Sequence, residues 1–143
     1  MEDDIARYLE LRLPGASTVK VSHLTRIPGG ASRETWMFKA VWDEAGGRQS
    51  AEFVLRKDPP ASLVESERTL EYAFYSAFQD SPVPVPRMRW LENDTSHLGA
   101  PFFIMDRIGG CESNSRRILE PDFDESRDKI ARRMYEILGD IAR

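Results

Sequence analysis

The chain of 143 residues carries a formal net charge of −4, with 41% hydrophobic and 31% charged residues. This balance fits one folded domain with a modest core, and the lack of a basic surplus argues against nucleic acid as a partner. No apolar run is long enough to cross a membrane, and the acidic start MEDDIARYLE differs from a signal peptide. A single cysteine, Cys111, excludes an internal disulfide, and we expect a cytoplasmic protein with no membrane partner.

The first half of the chain predicts one helix followed by three strands. Apolar residues repeat at helical spacing within residues 2–12, and the Pro14-Gly15 pair ends that segment. Three stretches rich in β-branched and aromatic residues follow, at residues 18–27, 35–42 and 50–57. Their connections are short, and tight turns join antiparallel neighbours. The sequence therefore predicts an antiparallel meander.

The middle of the chain predicts a second helix and two further strands. Ser62 and Glu65 form an S-x-x-E capping box, which is typical of a helix start. The apolar residues of this helix fall near one face: Leu63, Leu70, Phe74, Ala77 and Phe78. A proline-rich connector leads to a strand at 87–92, and a fifth strand at 101–108 is apolar enough to be buried on both faces.

The last part of the chain predicts a polar connection and a final helix. Residues 111–123 are irregular, and Asp122 or Asp124 is the expected helix cap. One stripe of the helix is apolar, formed by Ile130, Met134, Ile137, Leu138 and Ile141. Together the elements predict an α+β fold, with a five-stranded antiparallel sheet, one covering helix, and a helix at each end of the chain.

Five segments in this order resemble the aminoglycoside phosphotransferase family, which has a protein-kinase-like fold. They are GGASRETW, FVLRKDPP, LEYAFYSAF, VPVPRMRWLEND and LGAPFFIMDRIGG. The likeness extends to phosphotransferase domains that are fused to acyl-CoA dehydrogenases. It implies a nucleotide-binding small lobe over residues 1–108, a hinge and linker over 109–123, and the first helix of the large lobe over 124–143.

The glycines of the first segment are candidate phosphate-binding residues. Glycine allows a close approach of the backbone to a ligand, and free N–H groups in such a loop can surround phosphate oxygens. The resemblance places Gly29, Gly30 and Ser32 over the nucleotide phosphates, with the Ser32 hydroxyl as a further donor. A plain hairpin turn is the alternative, because the motif is neither a complete G-x-G-x-x-G nor a P-loop.

A cation on the third strand and a carboxylate on the second helix form the next candidate pair. Val54 and Arg56 share a strand face, because side chains alternate along a strand. The resemblance implies that Val54 lies against adenine, Arg56 binds phosphate, and Glu71 pairs with Arg56. Lys57 is the alternative cation and Glu67 the alternative carboxylate. Arg56, Lys57 and Glu71 could each instead be a solvated surface charge.

The end of the fifth strand corresponds, by the same resemblance, to the hinge between two lobes. The Asp106 carbonyl and the Ile108 N–H are then expected to bind the adenine edge, and Met105 to line the back of the adenine pocket. The alternative is that this strand only fills the core and that Gly109-Gly110 is only a turn.

The family's His-Gly-Asp catalytic signature does not occur in the chain, since His23 and His97 are each followed by leucine. We therefore expect no catalytic and no metal-binding residue here, and a chain that is inactive alone. The expected parent protein is an ATP- or GTP-dependent, Mg²⁺-using phosphotransferase that phosphorylates a small-molecule hydroxyl, with the acceptor site on the other lobe. Uncovered apolar surface predicts self-association. The alternative is a non-catalytic α+β binding or oligomerisation module.

Overall fold

Three helices and five strands form the described part of the chain, which in the computed structural model comprises residues 1–28, 34–59, 68–110 and 115–142. The helices are α1 (Glu2–Arg12), α2 (Arg68–Ala77) and α3 (Arg127–Ile141). The strands are β1 (Ser17–Ile27), β2 (Glu34–Glu44), β3 (Gly47–Lys57), β4 (Met88–Glu92) and β5 (Phe102–Asp106). In these ranges no helix is both long and apolar enough to cross a membrane.

The five strands form one antiparallel sheet in the order β1-β2-β3-β5-β4. This confirms the α+β prediction and the meander of the first three strands. The last strand in sequence, β5, lies between β3 and β4 and so has a neighbour on each side. Phe102, Phe103 and Ile104 of β5 are all 0% exposed, which confirms that this strand is buried on both faces.

Helix α1 covers one face of the sheet. Its apolar residues Ile5, Tyr8 and Leu9 are at most 1% exposed. They form a continuous core with residues of four strands, among them Phe38, Phe53, Leu55, Phe102 and Ile104. The Tyr8 and Phe102 rings meet edge to face, with 4.8 Å between their centroids. Burial of these large side chains is the main source of stability for this half of the molecule.

Helix α2 lies on the opposite face of the sheet and contacts it through Tyr72, whose ring centroid is 6.0 Å from that of Phe103. The apolar stripe predicted for this helix is present but turned outward, with Leu70 63% and Phe74 56% exposed. The reason is that the other side of α2 contacts the sheet, through Glu71 and Tyr72. The Ser62–Glu65 capping box lies outside the described residues.

Helix α3 begins later than the sequence suggests, and the prediction that Asp122 or Asp124 caps it is wrong. Residues 121–126 form a 3₁₀ segment, and α3 starts at Arg127 with no side-chain cap from Ser126. The Asp124 carboxylate instead contacts the Arg127 guanidinium at 2.6 Å. Much of the predicted apolar stripe is exposed, including Met134 at 58% and Leu138 at 58%.

The end of α1 is held against β4 by a polar cluster, formed by Tyr8, Arg12, Glu92 and His97. His97 lies 3.8 Å from the Glu92 carboxylate. Arg12 contacts the Glu92 carboxylate at 2.5 Å and donates to the Tyr8 hydroxyl at 3.1 Å. Glu92 is only 8% exposed and also accepts the Asp94 amide at 2.8 Å. The Asp94 amide, together with Arg12, holds the pKa of Glu92 below its usual value near 4.5, although burial opposes this.

Leu55→Ala tests the core beneath α1. Leu55 is 0% exposed, and we expect the variant to lower the free energy of unfolding by about 2–5 kcal/mol, since it loses apolar contacts and leaves a cavity. Urea denaturation followed by circular dichroism measures this. Leu11→Ala is the control on the 71% exposed side of α1; an equal loss in both variants would contradict the described core.

Glu92→Gln tests the polar cluster. At pH 7 the variant should lose about 1–3 kcal/mol of stability, because Arg12 loses a charged partner. The folded-state pKa of Glu92 is lowered, so its stabilising effect is complete well above its unfolded pKa and is lost as the pH falls through the folded pKa. Urea denaturation of both proteins from pH 7 to pH 3 should show their stabilities converging below about pH 4.5. A constant difference across this range would contradict the assignment.

Candidate functional site

Arg56 of β3 and Glu71 of α2 form an ion pair at the centre of the candidate site. Their Nη1 and Oε1 atoms are 2.6 Å apart, and the two side chains are 24% and 25% exposed. The guanidinium also lies 5.9 Å from the centre of the Phe103 ring. The Nε atom of Arg56 is buried without a hydrogen-bond partner in the described residues. The pair implied by the family resemblance is therefore present, and part of the guanidinium's donor capacity is unused within this part of the chain.

An apolar surface adjoins Arg56 on the same side of the sheet. Val54 lies opposite Met37 of β2 and opposite Met105 of β5, and residues directly opposite in antiparallel strands share a face. All three are partly exposed. We call Met37, Val54, Arg56 and Met105 the Arg56 face. It combines a flat apolar surface with a cation at one end.

Lys57, the alternative cation, points to the other side of the sheet. It is 15% exposed, and its Nζ atom lies 3.8 Å from the Glu34 carboxylate. Of the two neighbouring cations, Arg56 is thus the one that meets Glu71. Glu67, the alternative carboxylate, lies outside the described residues.

The start of α2 is fixed by Arg68, one turn before Glu71. The Arg68 guanidinium contacts the Asp58 carboxylate just after β3 and the Asn93 side chain just after β4. The Arg68 side chain is only 12% exposed, so this double contact is largely shielded from water. It attaches the helix to two strand ends and thereby holds Glu71 over β3.

The end of β5 is anchored on both sides. The Asp106 N–H donates to the Arg87 carbonyl at 2.8 Å, and the Arg107 N–H donates to the Glu52 carbonyl at 3.0 Å. Beyond these bonds the chain is exposed, with Ile108 at 50%. Within the described ranges the Ile108 N–H makes no hydrogen bond.

The Asp106 side chain is engaged by a residue that the sequence analysis did not single out. Arg89 of β4 donates two hydrogen bonds to the Asp106 carboxylate, at 2.6 and 2.9 Å. No local sequence signal marks Arg89, because its contact depends on the pairing of β4 with β5.

The glycine-rich segment of the predicted site falls between β1 and β2. Gly29, Gly30 and Ser32 lie outside the described residues, and their proposed contacts with phosphate stay predictions. Among the residues that are described, no group of three or more His, Cys, Asp or Glu side chains could hold a metal ion.

The third strand of the antiparallel sheet carries a cation, and the helix that follows this strand carries the carboxylate that pairs with it. This is the small-lobe arrangement of protein-kinase-like phosphotransferases. Comparison with known proteins agrees. The model of the phosphotransferase enzyme family (APH) matches residues 23–143, and the chain belongs to this family.

Two relatives extend the comparison. Acyl-CoA dehydrogenase family member 10 of Mus musculus is 28% identical over 141 residues, which cover 96% of this chain and 12% of the mouse protein. The crystal structure of a "putative aminoglycoside phosphotransferase" from Ralstonia eutropha JMP134 matches with a TM-score of 0.53 and 24% identity, over 76% of this chain and 28% of that one. The chain therefore spans a small part of each relative, and the structural match concerns the fold alone.

A double-mutant cycle of Arg56→Gln and Glu71→Gln tests the central ion pair. We expect a coupling energy of about 1 kcal/mol in the free energy of unfolding, because each single variant already breaks the contact. Urea denaturation at low salt supplies the four stabilities. A matched cycle of Lys57→Gln with Glu71→Gln should be additive, since Lys57 contacts Glu34 instead. Additivity in both cycles would show that the Arg56–Glu71 contact does not exist in solution.

Proposed function

We propose that this chain is the nucleotide-binding lobe of an ATP- or GTP-dependent phosphotransferase that phosphorylates a hydroxyl group of a small molecule. The observation that carries the proposal is the Arg56–Glu71 ion pair at the edge of a partly exposed apolar surface. A purine ring needs a flat apolar surface, and a triphosphate needs a cation held in place. The Arg56 face offers both.

Arg56 is the proposed phosphate-binding group. Its guanidinium keeps its charge and presents several donors in a fixed plane, so it can contact one phosphate group through two N–H groups. Glu71 accepts from one terminal nitrogen and restricts the side chain to one direction.

The nucleotide base is proposed to lie between Val54 and Met105, at the end of β5. The Asp106 carbonyl and the Ile108 N–H are the proposed acceptor and donor for its edge. Support comes from the Ile108 N–H, which makes no hydrogen bond within the described residues. Gly29, Gly30 and Ser32 are proposed to cover the phosphates.

Mg²⁺ and the acceptor substrate are proposed to be held outside the described residues. Within the described residues no group of three or more His, Cys, Asp or Glu side chains could hold the ion. The acceptor hydroxyl and the base that deprotonates it are proposed to belong to the other lobe of the family's fold. On this basis the chain binds nucleotide but does not transfer phosphate alone.

A second candidate function is a non-catalytic binding or oligomerisation module. The observation in its favour is the exposure of apolar residues on two helices, such as Phe74 at 56% and Leu138 at 58%. A concentration-dependent molar mass by light scattering, in a chain that ignores nucleotides, would favour this second function.

Nucleotide titration tests the first proposal. We expect Mg-ATP or Mg-GTP to shift backbone amide signals of β3 and of residues 105–110 in ¹⁵N NMR spectra, and to raise the melting temperature. At a concentration 100 times the dissociation constant the gain in stability is about 2.7 kcal/mol. Arg56→Gln should abolish the effect, whereas Lys57→Gln, which removes the same charge on the other face, should keep it. Absence of any response in the unaltered chain, or an undiminished response in Arg56→Gln, would refute the proposed site.

A further inference from the structure

The contact between Arg89 and Asp106 is a bidentate one across β4 and β5. Arg89 Nε lies 2.6 Å from Oδ1 of Asp106, and Nη2 lies 2.9 Å from Oδ2. The side chains are 34% and 30% exposed. Two parallel bonds from a planar guanidinium fix the direction of the carboxylate, which one bond would not do.

The Asp106 carboxylate belongs to the side of the sheet away from the Arg56 face. Asp106 lies opposite Phe53 of β3, whose ring is in the core beneath α1, while Met105 lies opposite Val54. Side chains alternate along a strand, so Asp106 and Met105 point to opposite sides. A carboxylate on that side does not reach a ligand on the Arg56 face. Any influence of Arg89 on such a ligand must therefore pass through the backbone.

An unrestrained aspartate has a local alternative. Asp side chains readily accept the N–H of the residue two positions later, which forms an Asx turn. For Asp106 that donor is the Ile108 N–H, the group that the proposed function assigns to the base. The chain in this region can turn readily, since Gly109 follows and Gly110 has φ of +71°. The Ile108 N–H is nevertheless without a hydrogen bond among the described residues.

We propose that Arg89 is a positioning residue that holds the Asp106 carboxylate away from the Ile108 N–H and so keeps this donor available to the nucleotide base. The inference rests on the proposed function for the identity of the ligand. Its structural part, that Arg89 prevents an Asx turn at the end of β5, is independent of any ligand. Arg89 acts on base recognition and leaves phosphate binding by Arg56 unchanged.

The ligand-free test is hydrogen exchange of the Ile108 amide, followed by NMR in the 143-residue chain. In Arg89→Gln the freed carboxylate should accept this N–H, and its exchange should slow about tenfold, as for a newly hydrogen-bonded amide. In Arg89→Gln/Asp106→Ala the competing carboxylate is gone, and exchange should return to the original rate. Arg7→Gln breaks an exposed ion pair with Asp4 on α1 and should change nothing at Ile108.

The ligand test compares Mg-ATP with Mg-tripolyphosphate, which has the phosphates but no base. The Arg89→Gln variant should bind Mg-ATP about tenfold more weakly, because the Ile108 N–H is withdrawn from the base. Binding of Mg-tripolyphosphate should be unchanged. Arg89→Gln/Asp106→Ala should regain most of the Mg-ATP affinity, which simple destabilisation by Arg89→Gln would not allow.

The outcomes separate the two proposals. If the unaltered chain binds none of Mg-ATP, Mg-GTP and Mg-tripolyphosphate, the proposed function fails, while the exchange of the Ile108 amide still decides the role of Arg89. Unchanged exchange in Arg89→Gln would overturn the inference whatever the ligand result. Equal losses for Mg-ATP and Mg-tripolyphosphate, or no recovery in the double variant, would likewise overturn it.

Discussion

The ion pair between Arg56 and Glu71 is the constraint on which the rest of the site depends. It joins β3 to α2 across a face that is only partly covered by apolar contacts, because the apolar stripe of α2 is directed outward. Arg68, one turn earlier, attaches the same helix to two strand ends. Helix α2 is therefore held on the sheet largely by charged groups, and Glu71 holds the Arg56 side chain on the face that also carries Val54 and Met105.

The two faces of the sheet differ in the kind of interaction that holds them. Beneath α1 the packed side chains are buried and largely aromatic, with Tyr8, Phe53 and Phe102 at most 2% exposed. On the Arg56 face the side chains are partly exposed, and one of the four, Arg56, is charged. Strand β5 belongs to both, since Phe102 and Ile104 enter the α1 core while Phe103 and Met105 face α2 and the site. A buried core on one side thus supports a more open surface on the other.

Contacts from both sides of the sheet meet at the end of β5. The Asp106 N–H is bonded to the carbonyl of Arg87, just before β4, and the Arg107 N–H is bonded to β3, while the Asp106 carboxylate is held by Arg89 on the α1 side. In the proposed function the edge of the nucleotide base forms hydrogen bonds only with backbone groups there. In our further proposal Arg89 then affects ligand binding without touching the ligand, because it keeps the Asp106 carboxylate from competing for the Ile108 N–H.

Local sequence determined much of this protein. Alternation, turn residues and aromatic runs predicted all five strands and α1 within a few residues, since strand period and glycine or proline breaks are local properties. The Arg56–Glu71 pair came from the order of five family-like segments. The tertiary structure alone decided the outward direction of Leu70 and Phe74, the late start of α3 and the contact of Arg89 with Asp106. These features depend on which strands become neighbours and on which charged groups then meet. Contacts between residues far apart in the chain are not encoded in any single segment of it.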